Sequence, residues 1–112
     1  MSSTDLPDDN PKSAQGVQKA PLHLVPPPAM MELAWAMGEG AAKYGAYNWR
    51  SHNVSASVYQ AAALRHLMAW YERQDTDPSS GAHHLAHAMA CCAIVLDALH
   101  HGILNDDRPT GK

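Results

Sequence analysis

The chain has 112 residues, of which 8 are Lys or Arg and 11 are Asp or Glu, giving a formal charge of −3 with histidines neutral. That length suits one domain, and a near-neutral balance without a basic cluster gives no footing for a stable nucleic-acid complex, which needs Lys and Arg gathered against phosphates. The longest apolar stretch, Ala88 to Leu99, is broken by Asp97 and is too short and polar to span a bilayer, and the acidic start lacks the apolar core of a signal peptide. A soluble protein with no membrane partner is expected, in a reducing compartment, because Cys91 and Cys92 are adjacent on a predicted helix and diverge too far for an ordinary disulfide.

Residues 1–19 hold few apolar side chains and bury too little to offset the entropy of ordering, which predicts a flexible arm. Pro26, Pro27 and Pro28 then enforce extended backbone, with Pro28 suited to the first turn of a helix. That helix is predicted from about Pro28 to Lys43: Met30, Met31, Leu33, Ala34, Met37 and Ala41 share a helical spacing, and Gly45 is its stop. The segment from Lys43 to Ser55 keeps neither helical nor strand periodicity and reads as a loop. A second helix is predicted from about Ala56 to Arg73, capped by Ser55 or Ser57, with Val58, Ala61, Ala62, Leu64, Leu67 and Met68 on its apolar side. The run QDTDPSSG breaks it. A third helix is expected from about Gly81 to His101, capped by Ser79 or Ser80 and ended by Gly102, before a polar tail over 105–112 that should fray.

No stretch alternates with period two over a useful length. The expected fold is all-α, three helices in a small bundle forming a single domain over residues 20–104. A core this small is thin, and Ala-rich faces on the second and third helices would let copies approach closely, so a homodimer or homotetramer is expected.

The densest chemical constellation is Glu72, Asp75, Asp77, His83, His84 and His87. His84 and His87 are three apart and share a helix face, while Asp75 and Asp77 precede the helix start, where carboxylates meet histidines on a divalent cation. Mixed imidazole and carboxylate donors suit Mn, Fe, Co or Zn, whereas Mg prefers oxygen alone. Glu32 on the first helix would complete the carboxylate set. Turn, cap and solvated-face roles account for the same residues without a metal, and Glu39 has a salt bridge to Lys43 as its simpler role. His66, beside Arg65 and one turn before Trp70, reads either as a core histidine or as a catalytic group. Arg65, Arg50 and Lys43 suit phosphate oxygens, Arg by bidentate bonds, or are surface charge. Trp49 and Tyr44 offer rings to a nucleobase, or pin the loop. His100 and His101 sit where a helix dipole favours imidazolium and are assigned no function.

The segments LHLVPPPAMMELA, GAAKYGAYNWR, ALRHLMAW and DTDPSSGAHHLAHAMA, in that order, resemble the small phage family named dATP/dGTP diphosphohydrolase, itself similar to the all-α MazG-like nucleotide pyrophosphohydrolases. The resemblance implies conversion of dATP and dGTP to monophosphates plus pyrophosphate, in the cytoplasm of an infected host. Its recurring residues fall on Glu32, Lys43, Tyr44, Gly45, Asn48, Trp49, Arg50, Arg65, His66, Trp70, Asp75, Asp77, Gly81, His84 and His87. The chain departs from it at Arg73 and Gln74, where the family commonly reads Gly-Glu before the Asp, and at Ser79, where it commonly reads Glu. The EExxE and ExxD acid patterns of MazG-like enzymes are also not intact, and His84 and His87 stand at the ExxD position.

The leading expectation is therefore a purine dNTP pyrophosphohydrolase dependent on a divalent metal, Mg or Mn, held by Glu32, Asp75, Asp77, His84 and His87. His66 and Arg65 would be catalytic, and Lys43, Tyr44, Asn48, Trp49, Arg50 and Trp70 would bind substrate. The alternative, favoured by the missing acids, is a phage protein that sequesters a host immune-signalling nucleotide without hydrolysing it. A helical interaction protein whose histidines respond to pH is a third reading, but it leaves the aromatic, Arg-bearing loop unexplained.

Overall fold

The computed structural model describes residues 9–111; residues 1–8 of the expected arm and Lys112 of the expected tail lie outside the described residues. The chain is all-α, as expected: α1 (Pro11–Gly16), α2 (Pro27–Tyr44), α3 (Ala56–Tyr71) and α4 (His84–His100) are its helices, with 3-10 turns at Leu22–Leu24 and Asn48–Ser51. The two-residue strands β1 (Val54–Ser55) and β2 (Leu104–Asn105) pair in parallel, Val54 opposite Leu104. Strands this short leave no periodic signature, which is why the sequence shows none.

Within the expected arm, α1 forms because the Asn10 side chain accepts from the Lys12 N–H at 2.8 Å and Pro11 presets the first φ. None of its residues is buried. α2 ends where Gly45 adopts φ 92° and returns its N–H to the Ala41 carbonyl at 2.8 Å, a conformation open to a residue without Cβ.

α4 packs against both α2 and α3. Its contact with α2 is made of small side chains, Ala36 against Ala82, Ala86 and Ala90, with Leu33, Met37 and Met89 at the margins. A second cluster joins Trp49, Val54 and Ala98 to Ile94, Ile103 and Leu104, and so anchors the β1–β2 pair to the end of α4. Outside these clusters, Leu64, Leu67, Met68 and Tyr71 are all exposed; their spacing places them on one face of α3.

Both expected serine caps are corrected. Ser55 stands at the start of α3 but its side chain makes no capping bond; the Asp107 carboxylate reaches from the tail, accepting from the Ser57 N–H at 2.8 Å and from the Ser57 hydroxyl. α4 begins at His84, later than expected, and its cap is His83, whose Nδ1 accepts from the Leu85 N–H at 3.0 Å. Ser79 and Ser80 do not cap it because their hydroxyls are turned to Asp77 and His87.

At the end of α3, the Gln74 N–H reaches the Ala69 carbonyl at 3.0 Å, and Arg73 is left at φ 73°. This closure places the left-handed residue just past the helix, a position that glycine fills without Cβ strain. Arg73→Gly is expected to stabilise the protein by about 0.5–1 kcal/mol, strain relief outweighing the added freedom of the unfolded chain. A urea titration reads this as a higher midpoint at unchanged slope; a lower midpoint would reject the strained closure.

Candidate metal centre and adjoining cleft

Between α3 and α4 the chain makes a closed excursion. The His84 N–H donates to the Asp75 carbonyl at 2.8 Å, and the Asp77 N–H to the Ala82 carbonyl at 2.9 Å. Gly81, at φ 79°, turns the chain so that its N–H returns to the Asp77 carbonyl at 2.8 Å. Asp77 is thereby folded back onto the first turn of α4. There Asp77, His84 and His66, the last from the middle of α3, each offer a ligand atom within 4.8 Å of the others.

The hydrogen bonds around this cluster are specific. His66 Nδ1 and His84 Nδ1 stand 2.9 Å apart. His84 is 5% exposed, with its Nε2 2.7 Å from Gln74 Oε1. The Asp77 Oδ1 accepts from the Ser79 N–H at 2.9 Å and the Ser79 hydroxyl at 2.8 Å. His87 stacks on His66 with ring centroids 4.6 Å apart, its Nε2 2.6 Å from the Ser80 hydroxyl.

Burial lowers the His66 pKa below its ordinary value, His87 and His84 adding to the shift while Asp77 opposes it. The Ser79 hydrogen bonds lower that of Asp77. Near neutral pH the cluster therefore holds a neutral His66 imidazole and a carboxylate, the protonation states that ligate metals. The 2.9 Å between the two Nδ1 atoms is close to the ~3.0 Å that separates cis ligands held ~2.1 Å from one ion. Two imidazoles and one carboxylate fit a borderline transition ion better than Mg.

Beside the cluster a cleft of about 660 Å³ opens between the C-terminal half of α2, the following turn and α4, a volume typical of small-molecule sites. Tyr44, Tyr47, Asn48 and Tyr59 line it, and so does His87. His87 thus belongs to the cleft wall while its ring lies against His66 of the cluster.

The other expected site residues are distributed as follows. Glu32 is exposed on α2, outside the converging atoms. Asp75 is also outside them; its carbonyl holds His84, and its side chain borders a shallow surface depression with Trp70, Tyr71 and Arg73. Arg65 is exposed on α3. Lys43 bonds Glu39 at 2.9 Å, which raises its pKa, with a smaller attraction from Asp77. His66, expected as a catalytic group, lies within the candidate ligand set, whereas His87, expected as a ligand, lies at its edge.

Trp49 and Arg50 are gathered by a residue that received no site role from the sequence. Asp97 Oδ2 accepts from the Trp49 indole and the Arg50 Nε, both at 2.8 Å, while Oδ1 accepts from the Arg50 Nη2 at 2.8 Å. Arg50 also lies 4.2 Å over the Tyr47 ring. The sequence signal was the lone acid interrupting the apolar run of α4. The Arg50 and Trp49 hydrogen bonds hold the Asp97 carboxyl far below the usual carboxylate range. A depressed pKa contributes stability that is complete above the unfolded value of about 3.9 and is lost as pH falls below it. Asp97→Asn is accordingly expected to lower Tm at pH 7 and to flatten the fall in Tm below about pH 4; an unflattened fall would place the acid sensitivity elsewhere. For His66, NMR titration should give an imidazole midpoint below about 6.5; a midpoint above it would contradict burial as the dominant influence.

Residues 9–108 match the family model described as dATP/dGTP diphosphohydrolase, N-terminal. A relative from Salmonella phage PMBT28, named dATP/dGTP diphosphohydrolase, is 32% identical over 90 residues, covering 80% of this chain and 30% of the relative. The chain thus spans about a third of that protein's length. No solved structure matches significantly, and no helix among the described residues is long and apolar enough to cross a membrane. Its match over nearly its whole length places the chain in the dATP/dGTP diphosphohydrolase N-terminal family.

Proposed function

We propose that the protein hydrolyses purine deoxynucleoside triphosphates to monophosphates and pyrophosphate, using a divalent cation held by Asp77, His84 and His66. The observation that carries this reading is the double position of His87, which lines the cleft and stacks on a residue of the cation cluster. It supports a nucleoside in the cleft with its phosphates at the neighbouring cluster. The relative's name supports the same substrate class.

In this reading Tyr44 and Asn48 hold the nucleoside in the cleft, and Tyr47 presents a further ring there. Lys43 and Arg65 supply positive charge for the triphosphate. When bound, the cation neutralises phosphate charge and lowers the pKa of water. His87 orients the attacking water or a phosphate oxygen beside the stacked His66 ring. The water oxygen would bond to the α-phosphorus as the bond to the α–β bridging oxygen breaks, its proton passing to solvent, and pyrophosphate leaves from the monophosphate. Trp49, Arg50 and Asp97 contribute by fixing the turn that shapes the cleft. Glu32, Asp75 and Trp70 are not needed by this arrangement. Self-association belongs to the same proposal, supported by the exposed Leu64, Leu67, Met68 and Tyr71 face and the open cleft.

Anion-exchange analysis of dATP and dGTP incubated with the protein and Mn²⁺ or Mg²⁺ tests it directly. Monophosphate and pyrophosphate are expected, with turnover reduced at least a hundredfold, on the order of a lost catalytic electrostatic group, by Asp77→Ala or His84→Ala at unchanged helical circular dichroism. Full activity in both variants would remove the cation cluster from the mechanism. Nucleotide retained on the wild-type protein and released intact on heating would replace hydrolysis by sequestration, a reading favoured by the single carboxylate in the cluster.

A further inference from the structure

Gln74 lies just past α3 and carries no charge, yet its side chain reaches the most buried histidine of the cluster. A carboxamide oxygen only accepts hydrogen bonds. With Gln74 Oε1 2.7 Å from His84 Nε2, that nitrogen carries the proton, and the lone pair of the neutral ring is left on Nδ1. Nδ1 is the atom that faces His66 Nδ1 at 2.9 Å, accepting its N–H in the metal-free protein, and His66 and Asp77 complete the converging set. Because His84 is 5% exposed, water has little room to take over the Gln74 bond.

The geometry points to Gln74 as a positioning residue that fixes His84 in the Nε2–H form and aims its Nδ1 lone pair into the cation cluster; this rests on the cluster's reading as a cation site. Ser79 does the corresponding work for Asp77, its backbone and hydroxyl both holding Oδ1. The two positions where this chain lacks a family acid are therefore hydrogen-bond partners of two of the three candidate ligands. An amide at position 74 gives the same orientation as a carboxylate without adding negative charge behind the ring. A carboxylate there would make the imidazole a more basic ligand.

Two measurements on the full chain test this. Two-bond ¹H–¹⁵N spectra of labelled histidines without metal should show His84 as the Nε2–H tautomer, and Gln74→Leu should lose that single form. Titration with Mn²⁺ should show Gln74→Leu binding about 10- to 100-fold more weakly, the usual consequence of removing such a partner, and Gln74→Glu binding at least as tightly as wild type. An Nδ1–H tautomer in the wild type, or undiminished Mn²⁺ affinity in a folded Gln74→Leu protein, overturns the assignment. If Gln74→Leu does not fold, Gln74→Glu decides: a tenfold loss of affinity there overturns it. A wild-type protein that binds no Mn²⁺ overturns the cation reading of the cluster instead, while the tautomer spectra still decide what Gln74 does.

Discussion

The site depends on one local constraint, the closure of the excursion between α3 and α4 by the His84–Asp75 and Asp77–Ala82 backbone hydrogen bonds. Without it Asp77 and His84 would lie on separate elements, free to move apart. With it, the backbone spends its own donors to bring a carboxylate onto the first turn of a helix, and Gly81 absorbs the left-handed turn this demands. Side chains within the excursion are then used twice. Ser79 and Ser80 satisfy the turn and at the same time hold Asp77 and His87. The preorganisation comes from short-range bonds, so it does not require a large core, which a chain of this size lacks.

A second constraint places the cleft. Alanines at the α2–α4 contact allow the helices close together, and Asp97 on α4 gathers the turn after α2 through Trp49 and Arg50. A bidentate guanidinium bond is directional, so the turn is set in orientation as well as position. Tyr44, Tyr47 and Asn48 are carried on or beside that turn and consequently face the same opening as His87. α4 therefore contributes to both the candidate cation cluster, through His84, and the cleft, through His87 and Asp97.

The three long helices were legible from apolar spacing, prolines and glycine stops, because those signals are local; α1, which buries no residue, carries no apolar spacing and was not. Among the site residues, the closeness of His84 and Asp77 was legible from the sequence, since an excursion between two helices returns its ends to one place. His66 as a ligand was less so: its position depends on the packing of α3 against α4, which no local pattern encodes. The roles of Trp49 and Arg50 were open for a related reason. An arginine and a tryptophan in a polar turn suit phosphate and base, and only the long-range partner Asp97 shows where their donors go. Gln74 was open in the opposite direction. Read as a missing acid it looked like a loss, although the bond it makes to His84 needs an acceptor and not a charge. Ser55 failed as a cap because Asp107, about fifty residues away in sequence, supplies the acceptor.

The charge of the cluster bears on what it does with a triphosphate. Two neutral imidazoles and one carboxylate leave a divalent cation with a net charge of about +1, whereas a set of four carboxylates leaves a single cation with net negative charge and requires further ions before a polyphosphate can approach. The neutral side chains of Gln74 and Ser79, where the family commonly carries acids, would leave the charge of a bound cation unopposed at short range, where the low-dielectric surroundings of His84 would strengthen it. Lys43 adds only a weak attraction to Asp77, its ammonium being paired with Glu39. In the proposed reading, a single cation held there would suit capture of a polyanion.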